Sequence, residues 1–302
     1  MSLCLQCPRR CGATREDASH LGVCGVPAAF RVARIALHPY EEPCLCKTAG
    51  AGAVFFCGCS LRCVFCQNRE ISQGELPGTE LTAGELTRQI LALCASGADC
   101  IDLVTPTHYT EQLIPVLREL KSAVPVPIVW NSSGYESPDT LRRLEGLVDV
   151  YLPDCKYFSS ALSARLSGAP DYFPVAREAL REMLRQVGDP VTDASGRLLR
   201  GVLVRHLVLP GHRQDSIDLL RALVSAFGPS RFLLSLMSQY TPDFAPPDCE
   251  PSLRRRITTF EYQSVLDEAV RLSLSGFSQS RSSSSSRYTP VWGEGVDWKS
   301  KA

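Results

Sequence analysis

Six short apolar runs recur along this chain after residue 50, and the segments between them carry apolar residues at helical spacing. The runs are AVFFC (53–57), CIDLVTP (100–106), VPIVWNSSG (126–134), VDVYLPD (148–154), RGVLVRHLVLPG (200–211) and RFLLSLMSQY (231–240). Each has a short, near-continuous apolar stretch and is ended or closely followed by Gly or Pro, so each reads as a strand. Between them, 81–96, 110–124, 137–146, 171–188, 215–228 and 258–270 read as helices, the second interrupted at Pro115. Thr82 with Glu85, and Thr258 with Glu261, have capping-box spacing. Ser137 stands at an N-cap with Pro138 at N1, and Gly188 closes the fourth helix. Strands that are apolar on both faces must be covered on both faces. Six βα units of this kind predict an α/β fold with a parallel sheet under helices, in the form of a partial barrel; an open doubly wound sheet is the alternative. In either form chemistry gathers at the C-terminal strand ends.

Composition narrows the function. Lys plus Arg and Asp plus Glu number 32 each, so the formal charge is zero and no global field attracts nucleic acid or anionic lipid. No run reaches membrane-spanning length. The chain opens MSLCLQCPRRCG, with cysteines where a signal peptide needs its apolar stretch, so a cytoplasmic protein is expected. In that reducing compartment 14 cysteines argue for metal rather than disulfides. Cys94, Cys100, Cys155 and Cys249 lie singly in apolar surroundings and are expected to pack as small hydrophobes. Cys44 and Cys46 form a C-x-C pair with no assigned role.

The densest cluster follows the first run. FFCGCSLRCVFCQN contains Cys59, Cys63 and Cys66 as C-x3-C-x2-C. Three thiolates from one loop can hold an iron–sulfur cluster and leave one iron open. An open position marks a catalytic rather than a structural metal site. The competing reading is zinc completed by Cys57 or a distant histidine. Cys57, two residues before Cys59 at a strand end, is poorly placed for that. Phe65 supplies an apolar cover beside Cys66. The opening cysteines, Cys4, Cys7, Cys11 and Cys24, form C-x2-C-x3-C-x12-C, a set able to hold zinc or an accessory cluster, with His20 as a substitute ligand. The segment has few apolar residues and needs a metal to order it.

C-x3-C-x2-C with an aromatic before the third cysteine, after the first strand of a βα barrel, resembles the radical S-adenosylmethionine (SAM) enzymes. FFCGCSLRCVFCQNREIS is similar to the branch related to pyruvate formate-lyase activating enzyme. RVARIALHPYEEPC, LVTPTHY, VWNSSGYE, YLPDCKY, VRHLVLPGH and SLMSQYTP resemble its PflX-type group, from Cys4 to about Pro290. The resemblance implies a partial (β/α)6 TIM-like radical SAM barrel. It implies a 4Fe-4S cluster on Cys59, Cys63 and Cys66, with SAM as cosubstrate, reductive cleavage to a 5′-deoxyadenosyl radical, and hydrogen abstraction. An electron donor such as flavodoxin or ferredoxin follows from the same source, as does a protein or peptide substrate of the glycyl-radical type. A small metabolite as substrate, and a non-turning-over metal scaffold, are the other readings.

Residue by residue, the resemblance places Thr105, Pro106 and Thr107 where the family has a Gly-Gly-Glu segment, which this chain lacks, with His108 beside them. Asn131, Ser132 and Ser133 fall near the ribose, Asp154 and Lys156 beside the cosubstrate, and Arg205 against its carboxylate; His206 faces the helices. Gln239 stands where the activating enzymes have a histidine. Thr107, His108, Tyr135, Tyr157 and Tyr240 are expected at the barrel mouth. The division expected is a Cys-rich segment at 1–48, a barrel core at 49–250, and a helix with a serine-rich tail at 251–302, in which Gln279, Tyr288 and Pro290 resemble the family's end.

Overall fold

The computed structural model describes residues 3–16 and 21–279. His20, the serine-rich tail, Tyr288 and Pro290 lie outside them. The strands are β1 Phe30–His38, β2 Ala51–Phe56, β3 Thr79–Leu81, β4 Cys100–Val104, β5 Ile128–Ser132, β6 Val150–Pro153, β7 Val191–Thr192, β8 Leu198–Leu207, β9 Leu233–Met237 and β10 Gly276–Ser278. The helices are α1 Arg69–Ser72, α2 Ala83–Ala95, α3 Thr110–Ala123, α4 Pro138–Arg142, α5 Ser160–Ser167, α6 Tyr172–Val187, α7 Arg213–Phe227 and α8 Thr259–Arg271.

All six expected strands form, as β2, β4, β5, β6, β8 and β9, and they pair in parallel in chain order. That order decides the architecture. A doubly wound sheet reverses its strand order at one point; here the sequence β2-β4-β5-β6-β8-β9-β10 never reverses. With right-handed crossovers every helix then lands on one face, and the sheet curls around the other. Among the described residues its edges, β3 and β10, do not pair with each other, so the curled wall is partial.

Side-chain alternation separates the two faces. Ile101 and Leu103 of β4, Trp130 of β5 and Val202 and Val204 of β8 pack outward with Leu86 and Ile90 of α2, Leu117 of α3 and Leu180 and Met183 of α6. The intervening residues point inward. Cys100, Val129, Val150 and Leu203 form an apolar floor inside the barrel, plugged by Cys44 and Leu45. The C-x-C pair therefore begins in a turn driven into the barrel base. Asp99 holds that turn, accepting from Lys47 N (3.1 Å), Thr48 N (2.9 Å), Thr48 Oγ1 (2.7 Å) and Gly50 N (3.0 Å). Two residues further along β4, β5 and β8 the inward positions become Asp102, Asn131 and Arg205, joined by Ser235 of β9, a polar layer above the apolar floor, while β6 stays apolar at Leu152.

Both capping boxes form, at Thr82 with Glu85 and Thr258 with Glu261. α3 runs through Pro115, whose exposed position leaves the forfeited carbonyl to solvent. α4 ends at Arg142, short of the expected 146. The sheet also reaches into the stretch set apart as 1–48: β1 pairs antiparallel with β2, with a bulge between Val32 and Arg34, and β3 pairs with β1. Among the described residues no helix is long and apolar enough to cross a membrane.

Candidate active site

β2 delivers the chain to the barrel's C-terminal rim, and the cysteine loop begins there. Gly58 makes the turn with φ +82°; a Cβ there would lie 2.7 Å from the Cys24 carbonyl oxygen, so only glycine lets the loop pass the N-terminal segment. The loop is then held sulfur by sulfur. Cys59 Sγ accepts from Leu61 N (3.4 Å), Cys66 Sγ from Ser72 Oγ (3.4 Å) and Cys63 Sγ from Ser167 Oγ (3.0 Å). Val64 N also donates to the Leu166 carbonyl (2.9 Å), so the end of α5 anchors the loop's middle.

Arg9 ties these pieces together. Its guanidinium donates to the Ser60 and Leu61 carbonyls of the loop (2.8 and 3.4 Å) and to Ser167 and Gly168 at the end of α5 (2.7 and 2.5 Å). A cation at the last carbonyls of a helix also meets the negative end of its dipole. Arg15, 2% exposed, pins the same segment to the carbonyls of Val26, Pro27 and His108. The cysteine-rich start is thus packed against the site through two arginines.

The three sulfurs face a cavity of about 1060 Å³, part of it open solvent. Its walls contain Phe65, Thr105, Asn131, Ser132, Ser133, Asp154, Lys156, Arg205 and Gln239, each from a C-terminal strand end or the loop that follows. Pro106 and Thr107 are not in that wall. Thr107 turns away and donates to Glu136 (2.9 Å), and His108 bonds the Cys57 carbonyl (2.8 Å). The residue before them carries the local strain: Thr105, β-branched, has φ +60°. Cys57 is buried in the outer apolar core, against Gly78.

The polar wall is cross-braced. Arg205 donates through Nε to Asp154 (3.1 Å) and through Nη2 to Asn131 Oδ1 (2.5 Å), and Glu41 lies 3.6 Å from its Nη1. Asn131 Nδ2 donates to Asp102 (3.1 Å) and Lys156 to Asp154 (2.7 Å). The Tyr172 hydroxyl stands 2.8 Å from both the Ser133 and the Asp154 carbonyls, locking the β5 and β6 loops together. Gln239 Oε1 accepts from Gln279 (3.0 Å). Phe65 meets Tyr157 and Tyr240 edge-on.

The mouth differs from expectation. Tyr135 is 2% exposed and Tyr157 fully buried, and neither reaches the cavity, so these two rings form the wall behind the loop; Tyr240, also 2% exposed, lines the cavity itself. Tyr157 bonds Ser167 (2.7 Å) and Tyr135 bonds Asp171 (2.8 Å). Aromatic residues near a site pack their rings first and expose at most a hydroxyl.

Charge follows burial. Burial opposes the Asp154 carboxylate, but Lys156 and Arg205 outweigh it and hold its pKa below the ordinary value. Burial pushes the Cys66 thiol up to about 12 and raises Cys59 as well. Such thiols keep their protons until a metal displaces them. Burial and then the neighbouring Glu41 raise Glu42 to about 7, and the same two causes lift Asp102 well above its usual value.

These features fit an iron–sulfur cluster: three sulfurs around one cavity, each already given a donor, with the Lys156 ammonium near. Among the described residues no three His, Cys, Asp or Glu side chains are arranged to hold a single metal ion. In the N-terminal set Cys7 and Cys24 are buried, Cys4 is half-buried and Cys11 exposed. Burial takes the Cys7 thiol up to about 11, and Cys4, Cys24 and Cys11 stand near enough to add to the rise.

No family model matches the chain. A radical SAM methyltransferase from Sphaerobacter thermophilus superposes with a TM-score of 0.50 at 17% identity, over 75% of this chain and 65% of its own. The fold is that of the radical SAM enzymes. SuiB of Streptococcus suis gives the same TM-score, 0.50, at 13% identity over 82% of this chain. The chain spans 65% of the methyltransferase and 49% of SuiB. By sequence, an uncharacterized protein of Methanocaldococcus jannaschii is 28% identical over 279 residues, 90% of this chain and 75% of that one. The pyruvate formate-lyase-activating enzyme of Staphylococcus epidermidis is 24% identical over 196 residues, 61% of this chain and 72% of its own length. A partial parallel barrel behind a three-cysteine loop is what the radical SAM fold comprises here. The sequence missed Glu41 and Glu42, Glu136, Ser167 and Arg9 as parts of the site; Asp102, a charge inside the apolar run CIDLV, was the one visible signal.

Proposed function

We propose that this chain is a radical SAM enzyme whose cluster sits on Cys59, Cys63 and Cys66. The observation that carries the reading is that these three sulfurs, each with its own hydrogen-bond donor, face one cavity whose wall holds no fourth cysteine among the described residues. Cys59, Cys63 and Cys66 would hold a 4Fe-4S cluster, which when bound would supply the reducing electron for SAM cleavage and the hydrogen abstraction that follows. The chain's own residues bind and orient. Ser133 and Gln239 present a hydroxyl and an amide toward the cavity, where ribose and amino-acid groups are polar, and Asn131 and Ser132 line it with side chains held by Arg205, Asp102 and Glu136. The spare N–H groups of Arg205 and the Lys156 ammonium suit a carboxylate. Phe65 and the rings behind it exclude water. Thr105 to Thr107 shape the turn on the methionine side, Thr105 through its strained backbone.

The reducing electron comes from a small redox protein of the flavodoxin or ferredoxin kind. Cys4, Cys7, Cys11 and Cys24 are read as the ligands of a second metal group with no part in cleavage, an accessory cluster rather than zinc, because as arranged no three of these thiols close on a single ion. The substrate is a protein or peptide, as in activating enzymes. A small metabolite is the second reading, and the burial of Tyr135, Tyr157 and Tyr240 favours it, because the wall then offers less open surface to a polypeptide.

The test is anaerobic reconstitution followed by iron analysis and measurement of 5′-deoxyadenosine. Wild type and Cys57→Ala should take up a cluster and cleave SAM; Cys59→Ala, Cys63→Ala and Cys66→Ala should lose the cluster's iron and the cleavage together. Full iron and activity in Cys63→Ala would sink the assignment, and a loaded wild type that never forms 5′-deoxyadenosine would leave only a metal scaffold. Transfer of deuterium from a labelled partner glycine, or from a labelled metabolite, separates the two substrate readings.

A further inference from the structure

A second cavity, about 1100 Å³ with part of it open solvent, adjoins the first. Gln67, Asn68, Asn131, Arg205 and Gln239 line both, so the two communicate. The second alone is walled by Glu41 and Glu42, from the turn after β1, and by Ser235 of β9. Glu42 is 8% exposed and the Glu41 side chain 9%. Its cation is Arg205, whose fork is already engaged by Asp154 and Asn131.

A second, independent observation concerns hydrogen bonds. Asp102 points inward behind Glu41 with no exposed surface, and the two carboxyls lie within hydrogen-bonding reach, where burial and the neighbouring Glu41 keep a proton on Asp102. Asn68 Oδ1, in the wall common to both cavities, is buried without a partner. Buried acceptors without donors are costly, and buried carboxylates without a matching cation more so. Asn68 Oδ1 thus lacks a donor, and Glu41, Glu42 and Asp102 all draw on the one Arg205 guanidinium, which Asp154 already engages, among the described residues. A ligand that restores the balance brings N–H donors and positive charge. His38, Tyr40, Phe55 and Phe277 offer ring surface for the hydrocarbon attached to it.

We propose that the second cavity receives the cationic end of the substrate, an alkylammonium or guanidinium group, with Glu42 and Glu41 as its counter-ions. The group belongs to a free amine or to a lysine or arginine side chain of a peptide. The word substrate rests on the radical SAM reading; the binding chemistry does not.

The test is calorimetry on the reconstituted full-length protein with agmatine, with butyrate, and with a capped tripeptide containing one lysine. Agmatine or the lysine peptide should bind and butyrate should not. Whichever of the two binds more tightly names the source of the group. Glu42→Gln and Glu41→Gln should each weaken the cationic probe at least tenfold, while Glu178→Gln, an exposed surface change on α6, leaves it unaltered. Binding of butyrate as tight as that of the cations, undiminished binding in both Gln variants, or no binding of either cation overturns the proposal. 5′-Deoxyadenosine formation is measured on the same preparation. Its failure alongside intact agmatine binding removes the radical assignment and leaves the cation site standing; the converse removes only the site.

Discussion

Glu136 is the residue whose loss should most clearly expose how the rim is held. It is 2% exposed and accepts three bonds, from Trp130 Nε1 (2.8 Å), Ser132 Oγ (2.9 Å) and Thr107 Oγ1 (2.9 Å). It thereby joins the turn after β4 to the end of β5, the two rims that flank the first cavity. Glu136→Ala removes all three acceptors at once. A buried donor left unmade costs about 1–3 kcal/mol. The Ser132 and Thr107 hydroxyls can rotate toward other acceptors, so each belongs at the low end. The indole of Trp130 is fully buried and cannot turn, so it belongs at the high end. The sum, with the void left by the side chain, is roughly 4–6 kcal/mol. Glu136→Gln keeps one acceptor oxygen but turns an amide N–H toward the donors, and should cost roughly 1–3 kcal/mol. Urea unfolding followed by circular dichroism reads the difference. With a slope of about 3 kcal/mol per molar, the Ala midpoint should fall by more than about 1 M and the Gln midpoint by about half that. An Ala variant within about 0.5 kcal/mol of wild type, the range of an ordinary surface change, would show that the three bonds hold nothing. A Gln variant less stable than Ala would show that the shape of the site, not its acceptors, matters.

Two other perturbations probe the same frame. Gly134 has φ +72°, and a Cβ there would lie 2.2 Å from the Asp154 carbonyl oxygen, a backbone atom that cannot step aside; Gly134→Ala should cost roughly 2–4 kcal/mol and weaken SAM binding by displacing Asp154, read by denaturation and by calorimetry. Burial opposes the Asp99 carboxylate, but its bonds from Thr48, Gly50 and Lys47 outweigh that and hold its pKa at about 2. Its contribution is therefore complete above the ordinary carboxylate value of about 4 and is lost as pH falls through about 2. The stability gap between wild type and Asp99→Asn should accordingly shrink on acidification, and a gap that widens instead would contradict the geometry.

The apolar runs made β2, β4, β5, β6, β8 and β9 legible because a strand buried on both faces has nowhere to place polar residues. The strands that escaped have a different character. β1, FRVARIALH, alternates with arginines because it pairs antiparallel and half-buried, and β3 and β10 have three residues each, below the length at which a pattern exists. α5 went unread for a related reason: SALSARLS contains good helix formers but is only eight residues long and interleaved with serines, and it is set in place because Asp215 holds the Phe158 and Ser159 N–H groups just before it, the Ser159 hydroxyl caps Leu162 N, and its apolar side packs behind the cysteine loop.

The site divides along the same line. Cys59, Cys63 and Cys66 were legible because one loop carries all three, and local spacing survives any tertiary arrangement. Asn131, Asp154 and Arg205 were legible as polar residues at the ends of apolar strands. Thr107 was misread as a cavity residue because its side chain answers to Glu136, a partner 29 positions away. The donors to the sulfurs show the limit most plainly. Ser167 reaches Cys63 across 104 residues, and Arg9 spans 51 to reach the loop and 159 to reach Gly168. By itself the sequence determined what is periodic or local: six of the seven parallel strands, the helix caps, and the three-thiol loop. Tertiary structure alone decided that the sheet curls without reversing, that Arg9 docks the first segment on that loop, and that Glu41, Glu42 and Asp102 meet around Arg205. Such encounters depend on where distant backbone segments come to lie, and no short-range pattern in a chain encodes the partner a buried charge will find.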